Sequence, residues 1–295
     1  MIIRNEREVT AAVLAELAQA PDDRCREILS ALVRHLHDFA REVHLTEAEF
    51  QRGLQYLVRL GQCTTDSHNE AVLMAGSLGF STLVCLLNNG QGQTRTLANL
   101  LGPFWRRHSP PTESGGSIVR SPTPGPALFA NIGVHDGDGN PVRGAAVDVW
   151  HCSAEGLYDV QDPQQSDMNL RGKFVTDAAG CFCFRSVVPS GYPIPISGPV
   201  GDLLRAQGRH NRRPAHLHFL VFKPGFKTLI TQIYCDDDPY LENDVQFGVT
   251  QALVGSFVPH QEAAPSDDVE GVWYSLDSTL LLEPGESRLP IPPIE

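Results

Sequence analysis

The chain has 295 residues, 41% of them hydrophobic and 20% charged, the make-up of a soluble globular protein with a substantial core in one large domain or about two ordinary ones. Its formal net charge of −12 excludes a general nucleic-acid binder, because phosphate affinity rests on accumulated Lys and Arg, but it leaves a small anionic substrate open. The opening segment MIIRNEREVT lacks the basic and apolar regions of a secretory signal, and no run approaches the about 18 apolar residues that span a bilayer. The expectation is a cytoplasmic protein without membrane insertion. Seven scattered cysteines with no CxxC fit reduced, mostly buried thiols better than a disulfide framework.

Proline divides the chain. Pro21 stands alone in the first hundred residues, and the rest begin at Pro103. A helix interior loses about 3 kcal/mol to a proline, whereas turns and strand ends accept it. Residues 1–102 therefore read as a helical domain and 103–295 as a β-rich one. Ile28, Leu32, Leu36, Phe39 and Val43 recur at helical steps and predict one apolar face,. Thr46-x-x-Glu49 and Ser67-x-x-Glu70 are capping-box patterns, each opening a further helix, the second leading into the apolar run Ala71 to Leu87,.

Beyond Pro103 the pattern alternates. Val147, Val149 and His151 share one face of a predicted strand, with Asp148 and Trp150 on the other,. Phe174–Thr176, the turn Asp177–Gly180 and Cys181–Phe184 read as a hairpin, and Asp136–Asn140 as another turn,. Further strands are predicted at 215–222, 229–235 and 272–282. Short strands with regular turn signals predict an antiparallel sandwich, so the fold class is α+β, mainly β: a helical domain followed by a β-sandwich. Cys181-x-Cys183 has no second Cys/His pair at zinc-site spacing and reads as a packed strand,.

The strongest chemical signal is Arg213-Pro-Ala-His216-Leu-His218. Positions i and i+2 of a strand point the same way, so both imidazoles project from one face. Two neutral nitrogens leave the metal open among zinc, copper and iron. No Asp or Glu stands in an obvious third-ligand position, which argues against a two-His-one-carboxylate site. Tyr158 and Tyr192 lie in turn-rich segments beside strands, and taken alone each reads as an amphipathic packing residue. Periodicity does not identify a phenolate ligand.

A run of motifs, in order, resembles the intradiol ring-cleavage dioxygenases of the catechol, chlorocatechol and hydroxyquinol 1,2-dioxygenase group. It includes Leu101-Gly-Pro-Phe104, Val147-Asp-Val-Trp150, Gly156-Leu-Tyr-Asp159, Met168-Asn-Leu-Arg-Gly172, Tyr192-Pro-Ile-Pro195, Gly208-Arg-His210 with Arg213–His218, Thr231-Gln-Ile233 and Asp238-Pro-Tyr-Leu241. The resemblance implies one ferric ion per chain, held in the sandwich by Tyr158, Tyr192, His216 and His218. Tyr192 and His218 resemble its axial ligands, Tyr158 and His216 the equatorial ones. It implies cleavage of a catechol-type ring between its two hydroxylated carbons with dioxygen, giving muconate or maleylacetate-type products. In the family pattern Arg213 stabilises charge as the ring is ketonised, and Tyr192 and Gln232 are its other catalytic candidates. Leu101, Gly102, Pro103, Phe104, Ile194 and Pro195 resemble the walls that clamp the ring. The resemblance also implies a homodimer through the helical domain, and a tunnel there able to hold a phospholipid.

One position departs from the family. Cys85, in Gly79-Phe-Ser-Thr-Leu-Val-Cys85, stands where hydroxyquinol and chlorocatechol members commonly carry an aspartate facing substrate substituents. An extra hydroxyl would lose a polar partner there, although the wording around Tyr158 and Met168 is closest to the hydroxyquinol branch. Two rival readings use His216 and His218 only: a non-catalytic β-sandwich metal-binding protein, and a zinc or copper hydrolytic or redox protein.

Overall fold

The computed structural model describes residues 2–65, 68–89 and 96–293. It forms two compact units, residues up to Arg59 and residues from Leu60 on. The first holds helices α1 (Glu6–Leu17) and α2 (Asp23–Glu42) and most of α3 (Glu47–Cys63). Asn5 and Asp22 cap α1 and α2 by accepting backbone N–H groups with their side chains,. Thr46 and Glu49 form the expected reciprocal box: Glu49 N–H donates to Thr46 Oγ1 at 3.3 Å, and Thr46 N–H to Glu49 Oε2 at 2.9 Å,. The predicted apolar face lies along α2, yet Leu32 is 50% and Leu36 54% exposed.

In the second unit the apolar run from Ala71 is two helices, α4 (Glu70–Ser77) and α5 (Phe80–Asn89), bent by 77°. Gly79 makes the break, at a φ of +72° that favours glycine,. No single helix among the described residues is long and apolar enough to cross a membrane. The expected Ser67 cap lies outside the described residues. The helix is capped by Asn69, whose side chain accepts from Val72 N–H. Glu70, buried, turns away from its own helix and accepts from Val200 N–H at 2.9 Å, at the start of α6 (Pro199–Ala206).

The strands are β1 (Ala127–Asp136), β2 (Ala146–Trp150), β3 (Arg171–Val175), β4 (Cys181–Val187), β5 (Tyr192–Pro193), β6 (Arg212–Arg213), β7 (His216–Phe222), β8 (Leu229–Cys235), β9 (Val254–Gly255), β10 (Phe257–His260) and β11 (Trp273–Leu282). One sheet runs β3-β2-β7-β8-β9, the other β10-β11-β1-β4, and β5 pairs with β6 apart from both. Pairing is antiparallel except for β1–β11 and β8–β9, which are parallel. The expected hairpin is corrected here. Asp177–Gly180 is a tight turn, but β3 pairs with β2 and β4 with β1, so the chain crosses from one sheet to the other. Turn chemistry sets the reversal and does not choose the strands' partners.

The core lies between the sheets, with Leu217, Phe219 and Val221 of β7 meeting Ile132, Phe184 and Leu276 of the other layer in one cluster. Phe174 stacks across on Phe182, ring centroids 5.0 Å apart; truncating such a ring to Ala costs about 3–5 kcal/mol. Alternation then puts His216 and His218 on the outer face of β7. Register places Trp150 of β2 and Gln232 of β8 beside His218, and Tyr234 beside His216.

Candidate metal centre

That outer face is roofed by two loops, each delivering a tyrosine. After β2 the chain turns at Ser153–Gly156, where Gly156 N–H donates to Ser153 O at 3.0 Å, and Tyr158 follows. Gly156 has φ +78°, and a Cβ there would fall 2.8 Å from Tyr192 Cβ, so the two loops meet at a point only glycine fits,. Tyr192 arrives on β5, directly opposite Arg213 of β6.

The donor atoms converge. Tyr158 Oη lies 3.1 Å from His218 Nε2, which lies 3.2 Å from His216 Nε2. Tyr192 closes the group, its ring 5.8 Å from Tyr158 and 5.6 Å from His216, centroid to centroid. His216 Nδ1 donates to Pro214 O at 2.7 Å, which leaves the Nε2 lone pair facing inward, the usual arrangement behind a metal-bound imidazole. His218 stacks on Trp150 at 4.6 Å, and its polar contacts all run through Nε2, because its buried Nδ1 has no hydrogen-bond partner among the described residues.

Burial governs the electrostatics. It drives His216 down to about 3, helped by the Arg213 charge, and His218 well below the ordinary imidazole range, helped by His216. It raises both phenols, Tyr158 further because Tyr192 stands beside it,. Four neutral lone-pair donors thus crowd one point. Neighbouring donor atoms 3.1–3.2 Å apart are close enough to share one ion. Among the described residues no group of three or more His, Cys, Asp or Glu can hold a metal, so a full ligand set here draws on the tyrosines. Phenolate with imidazole suits a hard, oxygen-favouring ion, and tyrosinate is a known partner of ferric iron.

Arg213 is buried beside this group. Nε and Nη2 bond Asp244 at 3.2 and 3.1 Å, Nη2 also reaches Tyr234 Oη at 3.0 Å and Gln232 Oε1 at 3.2 Å, and Nη1 lies 3.5 Å from His216 Nε2. Gln232 is held at both ends, since its Nε2 donates to Leu100 O at 2.7 Å. On the far side, Asp159 accepts from Arg171 Nε at 2.8 Å and Nη2 at 2.5 Å, from Arg106 Nη1 at 3.1 Å and from Met168 N–H at 3.0 Å.

The expected wall residues divide. Phe104 packs on Tyr158 with centroids 4.3 Å apart, and a Cβ on Gly102 would stand 3.3 Å from the His218 ring. Leu101 is half-buried and Ile194 buried, while Pro103 and Pro195 are exposed. Cys85 is half-buried in α5, its Sγ 3.7 Å from Asn89 Nδ2 of the same helix, and burial pushes its thiol up. Asp244, Tyr234, Trp150, Asp159 and Arg171 went unassigned in the sequence. Alternation does put Trp150 on the outer face, but no local pattern announces the partners of Arg213.

Residues 101–278 match the family described as Dioxygenase, and residues 22–96 that described as Catechol dioxygenase N terminus. A 6-chlorohydroxyquinol 1,2-dioxygenase of Cupriavidus pinatubonensis is 39% identical over 95% of this chain and 98% of its own. A catechol 1,2-dioxygenase of Candida albicans is 38% identical over 92% and 91%. The crystal structure of a hydroxyquinol 1,2-dioxygenase from Pseudomonas putida superposes with a TM-score of 0.88 at 36% identity, covering 95% of this chain and 99% of that one. The chain belongs to the intradiol ring-cleavage dioxygenase family.

Proposed function

We propose that this chain cleaves a catechol-type ring, hydroxyquinol, catechol or a substituted catechol, between its two hydroxylated carbons. The co-reactant is dioxygen and the products are of the muconate or maleylacetate type. The observation that carries the reading is the convergence of Tyr158 Oη, His218 Nε2 and His216 Nε2 within 3.2 Å of their neighbours, with Tyr192 and Arg213 closing the group. Tyr158, Tyr192, His216 and His218 are the residues that would hold iron. Bound there, a ferric ion supplies positive charge that favours the phenolate form of the tyrosines and polarises a chelating diol.

The chain's own groups do the rest. The two imidazoles are held neutral, with His216 fixed in one tautomer by Pro214. With iron bound, Tyr192 would be the phenolate placed to accept a proton from the substrate. Arg213, permanently charged, faces the cluster and opposes negative charge developing on the ring in a water-poor site. Gln232 supports that guanidinium, and Leu101, Gly102, Phe104 and Ile194 supply apolar walls, with Pro103 and Pro195 at their outer margin.

Two relatives of nearly equal identity act on different rings, so Cys85 is taken as a tuner of ring substituents within the class. Oxygen uptake by iron-loaded protein, with product identification over hydroxyquinol, chlorocatechols and catechol, tests this. The expected result is consumption of one dioxygen per ring opened with at least one of them. No uptake by an iron-replete protein would leave only the reading that uses the His216/His218 pair.

Residues 103–295 are the catalytic domain in this account, and residues 1–102 an assembly domain of a cytoplasmic homodimer. The half-exposed row Ile28, Leu32, Leu36, Phe39 and Val43 supports an interface there, since contiguous exposed apolar surface marks interaction sites. A phospholipid lying in the helical domain would cover part of the same surface.

A further inference from the structure

The geometry points to Asp244 as the positioning residue of Arg213, with Tyr234 and Gly248 completing a cradle that turns the Nη1 edge of the guanidinium toward His216 and the substrate side. This rests on the catalytic reading of Arg213 above. An arginine has five N–H donors, one on Nε and two on each Nη. Here Nε is committed to Asp244 Oδ1, and Nη2 meets three acceptors, Asp244 Oδ2, Tyr234 Oη and Gln232 Oε1. Among the described residues Nη1 approaches His216 Nε2 at 3.5 Å, and the guanidinium also interacts with the Tyr192 phenol. The fork is therefore tied back on one side and presents the other.

Asp244 is itself fixed. Besides the two bonds from Arg213, Oδ1 accepts from Gln246 N–H at 3.1 Å and Oδ2 from Gly248 N–H at 2.9 Å. Burial alone would raise this carboxyl, but the Arg213 guanidinium and those backbone donors hold it below the ordinary carboxylate range. Tyr234 Oη accepts from Arg213 and donates to Gln232 Oε1 at 2.5 Å, so the amide and the guanidinium are locked together. Asn99 Nδ2 donates to Gly248 O at 2.7 Å and fixes that loop.

Gly248 is an independent witness. Its backbone lies outside the left-handed region, yet a Cβ there would stand 2.6 Å from Tyr234 Oη, 2.9 Å from Arg213 Nη2 and 3.1 Å from Asp244 Oδ2. The missing side chain makes room for this triad, whose three side chains supply the nearest atoms.

The test is a double-mutant cycle, with Asp244→Asn and Gly248→Ala each made alone and on Arg213→Ala. Removing one donor to developing charge costs about 10²–10³-fold in kcat, so partial misplacement of Arg213 should cost about 10- to 100-fold. KM, iron content and the visible band should stay near wild type. On Arg213→Ala the effect of Asp244→Asn on kcat should vanish, and that of Gly248→Ala should shrink, since its methyl still meets Tyr234 Oη. In iron-free protein Asp244→Asn should lower the unfolding midpoint by roughly 6–20 °C while Arg213 is present, because it strands a buried cation, and much less without it. Gly248→Ala leaves every charge in place and carries the test should Asp244→Asn fold poorly. Undiminished kcat in both variants, equal losses on the Arg213→Ala background, or loss of iron in Asp244→Asn would overturn the positioning role alone. Full turnover by Arg213→Ala would instead overturn the catalytic reading of Arg213, and this inference with it.

Discussion

Replacing Asp159 by Asn should destabilise the protein severely, because Asp159 neutralises a fully buried cation. Asp159 and Arg171 each have side chains only 1% exposed. The carboxylate takes two N–H groups of Arg171, one of Arg106 and one backbone N–H, and Arg171 spends Nη1 on Phe104 O at 2.6 Å. Removing one partner of such a pair leaves an uncompensated charge and costs about 3–5 kcal/mol. Arg106 is 15% exposed and keeps a second carboxylate, Asp167, so it softens the loss on its own side only. At about 2–4 °C per kcal/mol for a domain near this size, the unfolding midpoint should fall by roughly 6–20 °C. Calorimetry of iron-free wild type and Asp159→Asn, backed by denaturant titration, reads this directly. Because Asp159 adjoins Tyr158 and Arg171 holds the Phe104 backbone, the variant should also bind iron more weakly. A midpoint within 2 °C of wild type, which is about 1 kcal/mol or less, would refute the reasoning, since the pair would then be no more than a surface contact.

Three further outcomes follow from particular contacts. His151 is buried, with Nδ1 2.7 Å from Cys152 O and Nε2 2.6 Å from Ser186 Oγ, and burial pushes it down to about 4. An unfolded His151 takes its proton near pH 6.5 while the folded one refuses it until about pH 4, so stability falls as pH drops through that window, by up to about 3 kcal/mol; His151→Gln should flatten the slope of unfolding free energy against pH by about one proton. Gly156→Ala places a methyl 2.8 Å from Tyr192 Cβ at φ +78°, and should lower both iron occupancy and thermal midpoint, measured by metal analysis and calorimetry. Leu32→Asp with Leu36→Asp on the exposed face of α2 should convert a dimer to monomers in sedimentation while leaving the iron centre intact.

The sequence carried the site as far as local rules reach. The alternation around His216 and His218 put both rings on one face because β7 obeys the two-residue period,, and the Thr46–Glu49 box formed because its bonds close within one turn. The tyrosines needed the family resemblance, since each reaches the site through a loop whose path is set by contacts such as Gly156 against Tyr192. What stayed hidden is long-range. Glu70 caps a helix through Val200 rather than its own, β3 and β4 leave one turn for different sheets, and Asp244 finds Arg213 from a loop of no regular pattern. Burial shows in composition; which buried charge meets which is decided by the folded chain.

The central claim is that Tyr158, Tyr192, His216 and His218 together hold a ferric ion. It is tested most directly by the visible absorption of the purified, iron-loaded protein beside its Tyr158→Phe variant. A phenolate-to-iron charge-transfer band is expected in the wild type and should be lost or strongly shifted in the variant at equal iron content. A colourless wild type at full iron content, or a band untouched by Tyr158→Phe, would contradict it.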